Sequence, residues 1–317
     1  MVKAKSKSYP FDQCPLYKMS SRKKLAELIF NVPLAKLETL GANQTNYRVF
    51  NIQKGAQERQ VQVPKVVLER IHRRVFALLE RLSKPDYLHS GLKGRSYITN
   101  ARVHVGKVPL VKLDIKKFYP NVQGARVARF FTEVMMCSPD VAGLLTNLCT
   151  YDNHVPTGSP VSQLLAFYAA KPMFDELAVL GKDNGVRMTC YVDDLTFSGP
   201  SVGPAFLWEA KQIVHRHGFK YHKERCFAAD DKKLVTGVLV HGERTLMQPS
   251  KELKLWRDIN ALGAAEPEER LTAIISLIGT ATAAGQVEAR FLSRLRRLRL
   301  EKKNAMFEVA ALRATVD

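Results

Sequence analysis

The stretch Tyr191–Asp194, with the sequence Tyr-Val-Asp-Asp, limits most narrowly what this chain can fold into. Apolar and β-branched residues flank it on both sides, and Gly185 and Gly199 bound the segment. The pattern predicts two short strands joined by a tight turn that carries two adjacent carboxylates. Such a pair is costly unless a cation lies between the acids, and carboxylate oxygens are the ligands that Mg²⁺ prefers. An ordinary β-turn with aspartates at turn positions remains open at this point.

The charge of the chain indicates a polyanionic partner. Lysines and arginines number 49 against 30 aspartates and glutamates, which gives a net charge of +19. Such an excess is typical of proteins that bind nucleic acid or an anionic membrane surface. No apolar run approaches the about 18 residues that span a bilayer, and no apolar segment follows the basic N-terminus as in a secretory signal. We therefore expect a nucleic-acid partner and no membrane.

Cysteine usage favours a reducing compartment. The five cysteines are odd in number and show no Cys-x-x-Cys spacing. We therefore expect neither a disulfide framework nor a zinc site, and we expect a cytoplasmic location.

Hydrophobic periodicity predicts an α+β chain that ends in helices. Strand-like alternation occurs around residues 47–63 and again in Lys233–Val240, where Gly237 interrupts it. The segment from Val161 to about Leu180 is apolar nearly all round, which predicts one long buried helix. From Pro249 onward we predict three helices, over about 249–262, 267–284 and 287–311.

A third acid lies at the end of another predicted strand. The segment Pro109–Ile115 is typical of a buried strand and carries Asp114 near its end. If this strand and the Tyr191–Asp194 hairpin share one sheet, three carboxylates converge. Such a trio can hold two Mg²⁺ ions about 3.5–4 Å apart, which stabilise the attacking and the leaving oxygens of an in-line phosphoryl transfer. The residues thus predict a two-metal site at the end of an antiparallel sheet.

Five stretches of the chain, taken in order, resemble the motifs of reverse transcriptases, specifically those of the retron type. Three are similar to the catalytic motifs of that family: Leu113–Pro120, Pro156–Ser162 and Tyr191–Asp194. The other two, Asn100–His104 and Val235–Gly237, are similar to signatures that separate retron enzymes from retroviral and intron enzymes. The resemblance covers about residues 45–245. The order and spacing of the five motifs favour a metal site over a plain turn.

The chain departs from the family pattern at three places. Thr157 stands where the family usually has glutamine, so the contact of that glutamine near the templating base or nucleotide is not carried over. Gln163 replaces the proline that usually closes the second motif, and the later Asn-x-x-Lys-Thr pattern is His222–Cys226 here. In that segment the resemblance implies a cation near the triphosphate, which Arg225 or Lys223 would supply.

The resemblance implies a role for each acid and for the backbone beside them. Asp114 and Asp193 are expected to hold both metal ions, with Asp194 in a weaker or more peripheral position. The backbone of Ile115 is expected to join them as a metal ligand. The segment up to Phe118 is expected to line the triphosphate of the bound nucleotide.

Three further residues are expected to contact the incoming nucleotide. The resemblance implies that Tyr119 stacks under the sugar and excludes a 2′-OH, so that the product is DNA; a core tyrosine beside Pro120 is the alternative. Arg59, on the predicted hairpin, is expected to grip triphosphate oxygens, although a solvated strand arginine would show the same pattern. Gly158 lets the backbone pass close to nucleotide and template.

Two regions are expected to bind RNA. The resemblance suggests that Asn100 and His104 recognise the enzyme's own structured RNA, although such polar residues can equally brace the fold. The dense C-terminal run of basic residues is expected to form a stripe on a helix that follows the RNA phosphates, beside an apolar face. The members of this run expected at the RNA are Arg290, Arg294, Arg297 and Lys302.

Together these features predict a right-hand polymerase. Its expected parts are an N-terminal helical extension (1–45), fingers (46–110), a palm with an antiparallel sheet packed by helices (111–245) and a helical, RNA-binding thumb (246–317). The resemblance implies an RNA-directed DNA polymerase that uses dNTPs and two Mg²⁺ ions. Retron enzymes copy a cognate noncoding RNA, primed from a guanosine 2′-OH, into branched msDNA, and act with a co-encoded effector protein in defence against phage. Another prokaryotic reverse transcriptase with different priming, and a non-catalytic RNA-binding scaffold, stay open as alternatives.

Overall fold

The computed structural model describes residues 8–55 and 57–314, and their strands form antiparallel sheets of two, four and three strands. Residues 1–7 of the expected N-terminal extension, residue 56 in the predicted hairpin turn and residues 315–317 of the expected thumb lie outside the described residues. The strands are β1 (Tyr47–Lys54), β2 (Gln57–Pro64), β3 (Leu110–Ile115), β4 (Arg187–Tyr191), β5 (Asp194–Ser198), β6 (Tyr221–Phe227), β7 (Lys233–Val235), β8 (Val238–His241) and β9 (Arg244–Leu246).

Helices surround these sheets and make up the C-terminal part of the described chain. They are α1 (Arg22–Lys24), α2 (Leu34–Ala42), α3 (Val66–Leu79), α4 (Tyr97–Arg102), α5 (Phe118–Asn121), α6 (Gly124–Arg129), α7 (Pro139–Cys149), α8 (Ser162–Ala169), α9 (Lys171–Asp183), α10 (Pro204–Arg216), α11 (Pro249–Ala261), α12 (Pro267–Val287) and α13 (Leu292–Ala314). Wider π-helical turns continue α1 over Leu25–Phe30 and α6 over Phe130–Val134.

The predicted finger hairpin is confirmed as β1 and β2, which form a sheet of their own. The strands pair antiparallel along their whole length, with Tyr47 opposite Pro64. Apolar side chains on β1 stay exposed, among them Val49, Phe50 and Ile52. Because an isolated two-stranded hairpin is only marginally stable in water, its position depends on what it contacts elsewhere.

The four-stranded sheet has the order β4-β5-β3-β6 and joins two of the five motif stretches. β4 and β5 are the predicted hairpin around Tyr191–Asp194, and β3 is the predicted buried strand with Asp114. Leu113 and Ile115 on β3 and Phe197 on β5 are fully buried in the large core around this sheet. The expectation that strand and hairpin share one sheet is therefore confirmed.

The long helix predicted from Val161 to about Leu180 is wrong, because the chain breaks between α8 and α9. Ala170 leaves the helical region, with φ −103° and ψ 4°, and Pro172 follows at the second position of α9. Proline has no N–H to donate to the preceding turn and restricts the residue before it. Two shorter helices therefore replace one continuous helix.

The single strand predicted over Lys233–Val240 is also wrong, because its glycine marks a turn. Thr236 and Gly237 both have positive φ, at +45° and +82°, and Val235 pairs with Val238. A two-residue turn of this kind joins a tight hairpin, because its twist matches that of the strands. β7 and β8 are thus neighbours, and β9, which the pattern did not predict, completes the sheet.

The three predicted C-terminal helices are confirmed as α11, α12 and α13. They enclose a cluster of buried side chains apart from the main core, which includes Leu255, Ile274, Leu277 and Phe291. A second core agrees with a helical thumb beside the palm, while the exact domain limits stay predictions. Within the described part of the chain, no helix is both long and apolar enough to cross a membrane.

Candidate active site

The turn that carries the acids is held at both ends. β4 ends at Tyr191 and β5 begins at Asp194, so that Val192 and Asp193 form the turn between them. Val192 has φ +63°, which is strained for a β-branched residue, and its N–H donates to Ser90 Oγ at 3.0 Å. Strain of this kind persists only where the surroundings fix it, which is common at functional sites.

Three acids from two distant stretches are neighbours on the four-stranded sheet. Asp114 on β3 lies directly opposite Asp194 on β5, and opposite His222 on β6 at its other side. Directly paired residues of antiparallel strands place their side chains on the same face. Asp193 joins them from the turn, because the N–H of Ile115 donates to Asp193 O at 2.9 Å.

Burial and like charge oppose the ionisation of these acids. Burial, followed by the charges of Asp114 and Asp194, raises the pKa of Asp193 to about 6. Burial also raises the pKa of Asp114, against the opposing effect of His222 and nearby lysines. The pKa of Asp194 is raised by burial too, although Lys112 works in the other direction. The positive charge beside the three acids is therefore smaller than burial and their mutual repulsion require, and a bound cation would supply the rest.

The contacts of the acids show which oxygens are free. Lys112 Nζ lies 2.9 Å from Asp194 Oδ2, and His222 Nδ1 lies 3.4 Å from Asp114 Oδ1. Among the described residues, Asp194 Oδ1 is buried without a hydrogen-bond partner. The same holds for Asp114 Oδ1, because the approach of His222 does not have hydrogen-bond geometry. Hard oxygen donors with unused lone pairs suit a divalent ion such as Mg²⁺. The ligand sphere is not assembled here, since no three His, Cys, Asp or Glu side chains in the described ranges are arranged to hold an ion.

Tyr119 lies beside the acids, on the short helix that follows β3. Lys117, in the left-handed region with φ +49°, turns the chain from the strand into α5. Phe118 is buried against Phe174 and Phe219, with ring centroids 5.9 Å away in both cases. This packing leaves the half-buried Tyr119 at the edge of the site.

Burial and the charge of a neighbouring acid both act on the hydroxyl of Tyr119. Burial first, and then the charge of Asp193, raise the pKa of its hydroxyl. Since Tyr119 also contacts the buried Phe118, it is partly packed as a core residue would be. Its expected contact with a sugar stays a prediction.

The finger hairpin carries Arg59 and packs against Gly158. Arg59 is exposed on β2, and its charge lowers the pKa of both Asp114 and Asp193, so its field reaches the site. A Cβ on Gly158 would lie 2.8 Å from Gln62 O, because the second-motif loop presses against β2. The close approach that requires this glycine is thus made to the fingers, and an approach to nucleotide or template stays a prediction.

The structure favours Lys223 over Arg225 as the cation near the acids. Lys223 is among the groups that lower the pKa of Asp114, whereas Arg225 lies further along β6, opposite Lys112. The register of β3 and β6 shifts between Lys112 and Asp114, and Lys223 has φ +54° at this bulge. Bulges of this kind re-aim side chains next to active sites.

Sequence reasoning missed three residues that contact the site. Lys112 could have been found, because alternation along β3 places it on the same face as Asp114. His222 stands where the family has asparagine, which marked it as a departure but gave no contact. Ser90, which binds the Val192 N–H, belongs to a loop far away in sequence and left no local signal.

The expected RNA contacts of Asn100 and His104 stay a prediction, although both residues are 0% exposed in this structure. His104 bonds Ser198 Oγ through Nδ1 and Thr189 Oγ1 through Nε2, both at 2.7 Å. Burial, together with nearby cations, lowers its pKa to about 3, so the ring is neutral. The alternative of bracing the fold agrees with these contacts.

The two signatures typical of retron enzymes contact each other. Asn100 Nδ2 donates to Thr236 Oγ1 at 3.4 Å, and that hydroxyl donates to Tyr97 O at 2.8 Å. Ile98 and Ala101 on α4 share a small core with Val235 and other residues of the three-stranded sheet. The signatures therefore hold α4 to that sheet.

The basic residues of α13 and of the turn before it differ in their surroundings. Arg290 forms ion pairs with Glu252 and Glu288, and Arg297 pairs with Glu301. Arg294 stacks over Trp256, with 5.2 Å to the ring centroid, and Lys302 is half-buried. Three other members of the run are exposed along one face of the helix: Arg296, Arg299 and Lys303. The expected apolar face is confirmed, and RNA binding stays a prediction.

Comparison with known proteins places this arrangement in context. No model of a known protein family matches the chain. The retron Se72 reverse transcriptase of Salmonella heidelberg is 36% identical over 160 residues, which are 48% of this chain and 41% of that protein. The retron Mx65 reverse transcriptase of Myxococcus xanthus is 32% identical over 206 residues, or 58% of this chain and 48% of that protein. The chain thus spans about half the length of these curated relatives.

More distant matches extend the same likeness. The retron Ec86 reverse transcriptase of Escherichia coli is 23% identical over 214 residues, covering 62% of this chain and 64% of that protein. The structure of apo telomerase from Candida tropicalis, truncated from its C-terminal domain, superposes with a TM-score of 0.50 at 11% identity. It covers 68% of this chain and 61% of the telomerase chain, and agrees with the expected right-hand polymerase fold. The resemblance expected from the motifs is therefore confirmed: the chain is similar to curated retron reverse transcriptases over 48% to 62% of its length.

Proposed function

We propose that this protein is an RNA-directed DNA polymerase of the retron type. It adds deoxynucleotides to a primer on an RNA template and releases pyrophosphate. The observation that carries the proposal is the row of acids, with Asp114 directly opposite Asp194 and Asp193 in the adjoining turn. Buried carboxylates that repel one another cost stability. Their presence side by side therefore indicates a functional site.

Divalent ions, with Mg²⁺ as the proposed species, would be held by these acids. Bound there, two ions would activate the attacking hydroxyl and neutralise charge on the departing pyrophosphate. Asp114 and Asp193 are proposed as the main ligands, because Lys112 already binds an oxygen of Asp194. Ile115 is proposed to add its backbone carbonyl, because the hydrogen bond from its N–H to Asp193 O holds this part of the backbone beside the acids.

The nucleotide is proposed to bind between the fingers and the acids. Arg59 and Lys223 both lower the pKa of Asp114, so both carry positive charge to where a triphosphate would lie. Tyr119, half-buried beside Asp193, would exclude a sugar with a 2′-OH and so select dNTPs. Gly158 would let the backbone lie close to nucleotide and template.

The RNA partner is proposed to be a cognate structured noncoding RNA that serves as template and primer. The net charge of +19 and the exposed basic residues of α13 support binding of such a polyanion. Priming from the 2′-OH of a guanosine would give branched msDNA, the product proposed here. A co-encoded effector protein and a role in defence against phage complete the proposal, with the cytoplasm as the site of action, where the five free cysteines would stay reduced.

RNA-templated synthesis tests the activity. The purified protein, with the RNA that co-purifies from cells, is given either dNTPs or NTPs in the presence of Mg²⁺. The proposal predicts a DNA product from dNTPs and none from NTPs, whereas Tyr119→Ala should begin to incorporate NTPs. RNA binding without any synthesis would favour the alternative of a non-catalytic scaffold.

The priming step has a separate test. Nucleic acid isolated with the protein is sequenced before and after treatment with a debranching enzyme that cleaves 2′,5′ linkages. The proposal predicts DNA that is joined to RNA before treatment and separate after it. A DNA product that the enzyme leaves unchanged would favour another prokaryotic reverse transcriptase with different priming.

A further inference from the structure

The position of the finger hairpin decides how close a cation lies to the acids. Among the strands of the described residues, β1 and β2 pair only with each other. β2 carries Arg59, opposite Ile52 and three residues before Gln62 on the same strand, and Arg59 is the cation proposed to meet the triphosphate. Because such a hairpin is marginal alone, the contacts that attach β2 to the palm also set the position of Arg59.

The attachment is made by Gln62 on β2 and the loop at Thr157. The Gln62 residue is only 3% exposed, and its Oε1 accepts a hydrogen bond from the Thr157 N–H at 3.0 Å. The Thr157 hydroxyl lies 3.0 Å from the same oxygen and 3.1 Å from Gln60 O, and donates to one of them at a time. Gln62 Nε2 donates to Gln60 Oε1 at 3.1 Å, so the buried amide is satisfied at both ends.

Gly158 brings the loop and the strand into direct backbone contact. Its N–H donates to Gln62 O at 3.1 Å. An added Cβ would lie 2.8 Å from that oxygen and 2.8 Å from the side chains of Val61 and Val63. The glycine is required here for space, since no positive φ is involved.

These contacts also give meaning to the threonine of the second motif. At position 157 the family usually has glutamine, and in this chain a glutamine amide comes from β2 instead. The Gln62 amide is used to join the fingers to the loop. We propose that Gln62 is a positioning residue, which holds β2 against the Thr157–Gly158 loop and thereby keeps Arg59 where it meets the triphosphate. This inference rests on the proposed function.

The substitution Gln62→Met tests this role, because it keeps a similar volume and removes the hydrogen bonds to Thr157. The KM for dNTPs should rise roughly tenfold, while kcat changes by less than about twofold, since binding of the triphosphate is weakened in ground state and transition state alike. Gln53→Met is the matched control. Gln53 is exposed on β1 and donates to Gly55 O near the hairpin tip, so its loss should change neither constant.

A double-substitution cycle separates positioning from a general loss of structure. If Gln62 acts through Arg59, then Gln62→Met should raise the KM of an Arg59→Gln variant by less than about twofold, although it raises that of the wild type about tenfold. Effects on KM that simply multiply would overturn the proposal.

A milder variant decides the question if Gln62→Met does not fold. Thr157→Val removes only the hydroxyl and keeps the backbone N–H, so the KM for dNTPs should rise roughly threefold. Amide hydrogen exchange over residues 47–64 should accelerate in Gln62→Met or Thr157→Val, and stay unchanged in Gln53→Met.

The outcomes distinguish this inference from the proposed function. A wild-type protein that makes no DNA contradicts the proposed function, and unchanged hydrogen exchange in Gln62→Met would then still overturn the attachment. A wild-type protein that makes DNA, together with an unchanged KM in Gln62→Met and Thr157→Val, overturns the positioning role alone.

Discussion

The acidic residues of the four-stranded sheet and the basic residues at the last helix are both dense groups of like charge, but they differ in their surroundings. The acids Asp114, Asp193 and Asp194 are half-buried, and burial raises the pKa of each. Most basic residues of α13 reach solvent, and Arg297 on this helix and Arg290 just before it are already paired with glutamates. Charges crowded together against the cost of burial indicate a site, whereas charges on a solvated helix do so only where they lack local partners.

The comparison predicts its largest effect at Asp114. Asp114→Asn should reduce DNA synthesis on the order of a thousandfold or more, because it removes a proposed metal ligand. The free energy of unfolding should stay the same or rise by roughly 1–2 kcal/mol, because a buried like charge disappears. Primer extension and urea unfolding measure the two quantities. A variant that loses stability together with activity would show that the acids serve the fold instead.

The buried region around the sheet should also respond to pH. In the folded protein the pKa of His104 is about 3, against an ordinary value of 6.5, so the unfolded chain binds the proton first as the pH falls below about 6.5. Stability is therefore full above that pH and is lost progressively towards pH 3. Between pH 7.5 and pH 5 the loss should be about 2 kcal/mol from this residue.

Urea unfolding of the wild type and of His104→Gln at both pH values measures this contribution. The glutamine can still bond the two hydroxyls but does not titrate, so the pH dependence should shrink by about 2 kcal/mol. An equal pH dependence in both proteins would mean that the buried ring contributes nothing to it. The pKa of His72, lowered to about 4 chiefly by burial, should maintain part of the response in both proteins.

On the last helix, the exposed basic residues that form no ion pair within the described part of the chain should contribute to RNA affinity. Replacing all three by glutamine should lower RNA affinity about tenfold or more at physiological salt, and should make the plot of log affinity against log salt shallower by roughly two to three. These bases are Arg296, Arg299 and Lys303. Filter binding over a salt series measures both quantities, and an unchanged slope would place the RNA elsewhere.

The smallest effect is expected at the paired base. Arg290→Gln breaks ion pairs that the exposed Arg290 makes with the partly buried Glu252 and Glu288, which should change the stability of the thumb by about 1 kcal/mol. RNA affinity should stay within about twofold of the wild type. A loss as large as that of the triple variant would show that pairing with glutamates does not separate the two groups of bases.

Local patterns predicted those parts of the fold that local chemistry determines. Alternation and bounding glycines predicted β4 and β5, and the buried run before Asp114 predicted β3. The break at Ala170 needed the geometric effect of Pro172, and the β7–β8 turn needed Thr236 in a conformation that its residue type rarely adopts. Both errors concern where an element ends, because apolar periodicity does not report that.

The candidate site was predictable where the residues lie in motifs, and not where tertiary contacts decide. His104 has the look of a surface ligand in sequence, but its partners Ser198 and Thr189 lie 94 and 85 residues away along the chain. The same holds for Gln62, whose partner Thr157 is 95 residues away. A polar side chain is buried only where such distant partners bind it, so the local sequence around the residue cannot reveal its burial.

A matched pair of variants tests most directly that the sheet acids form the polymerase site. Asp193→Asn with Asp194→Asn removes the two acids of the hairpin, and Asp230→Asn with Asp231→Asn removes the other adjacent pair, on an exposed loop. The first variant should make no detectable DNA yet bind RNA as the wild type does, and the second should retain both activities. Full DNA synthesis by the Asp193 and Asp194 variant would contradict this assignment of the site.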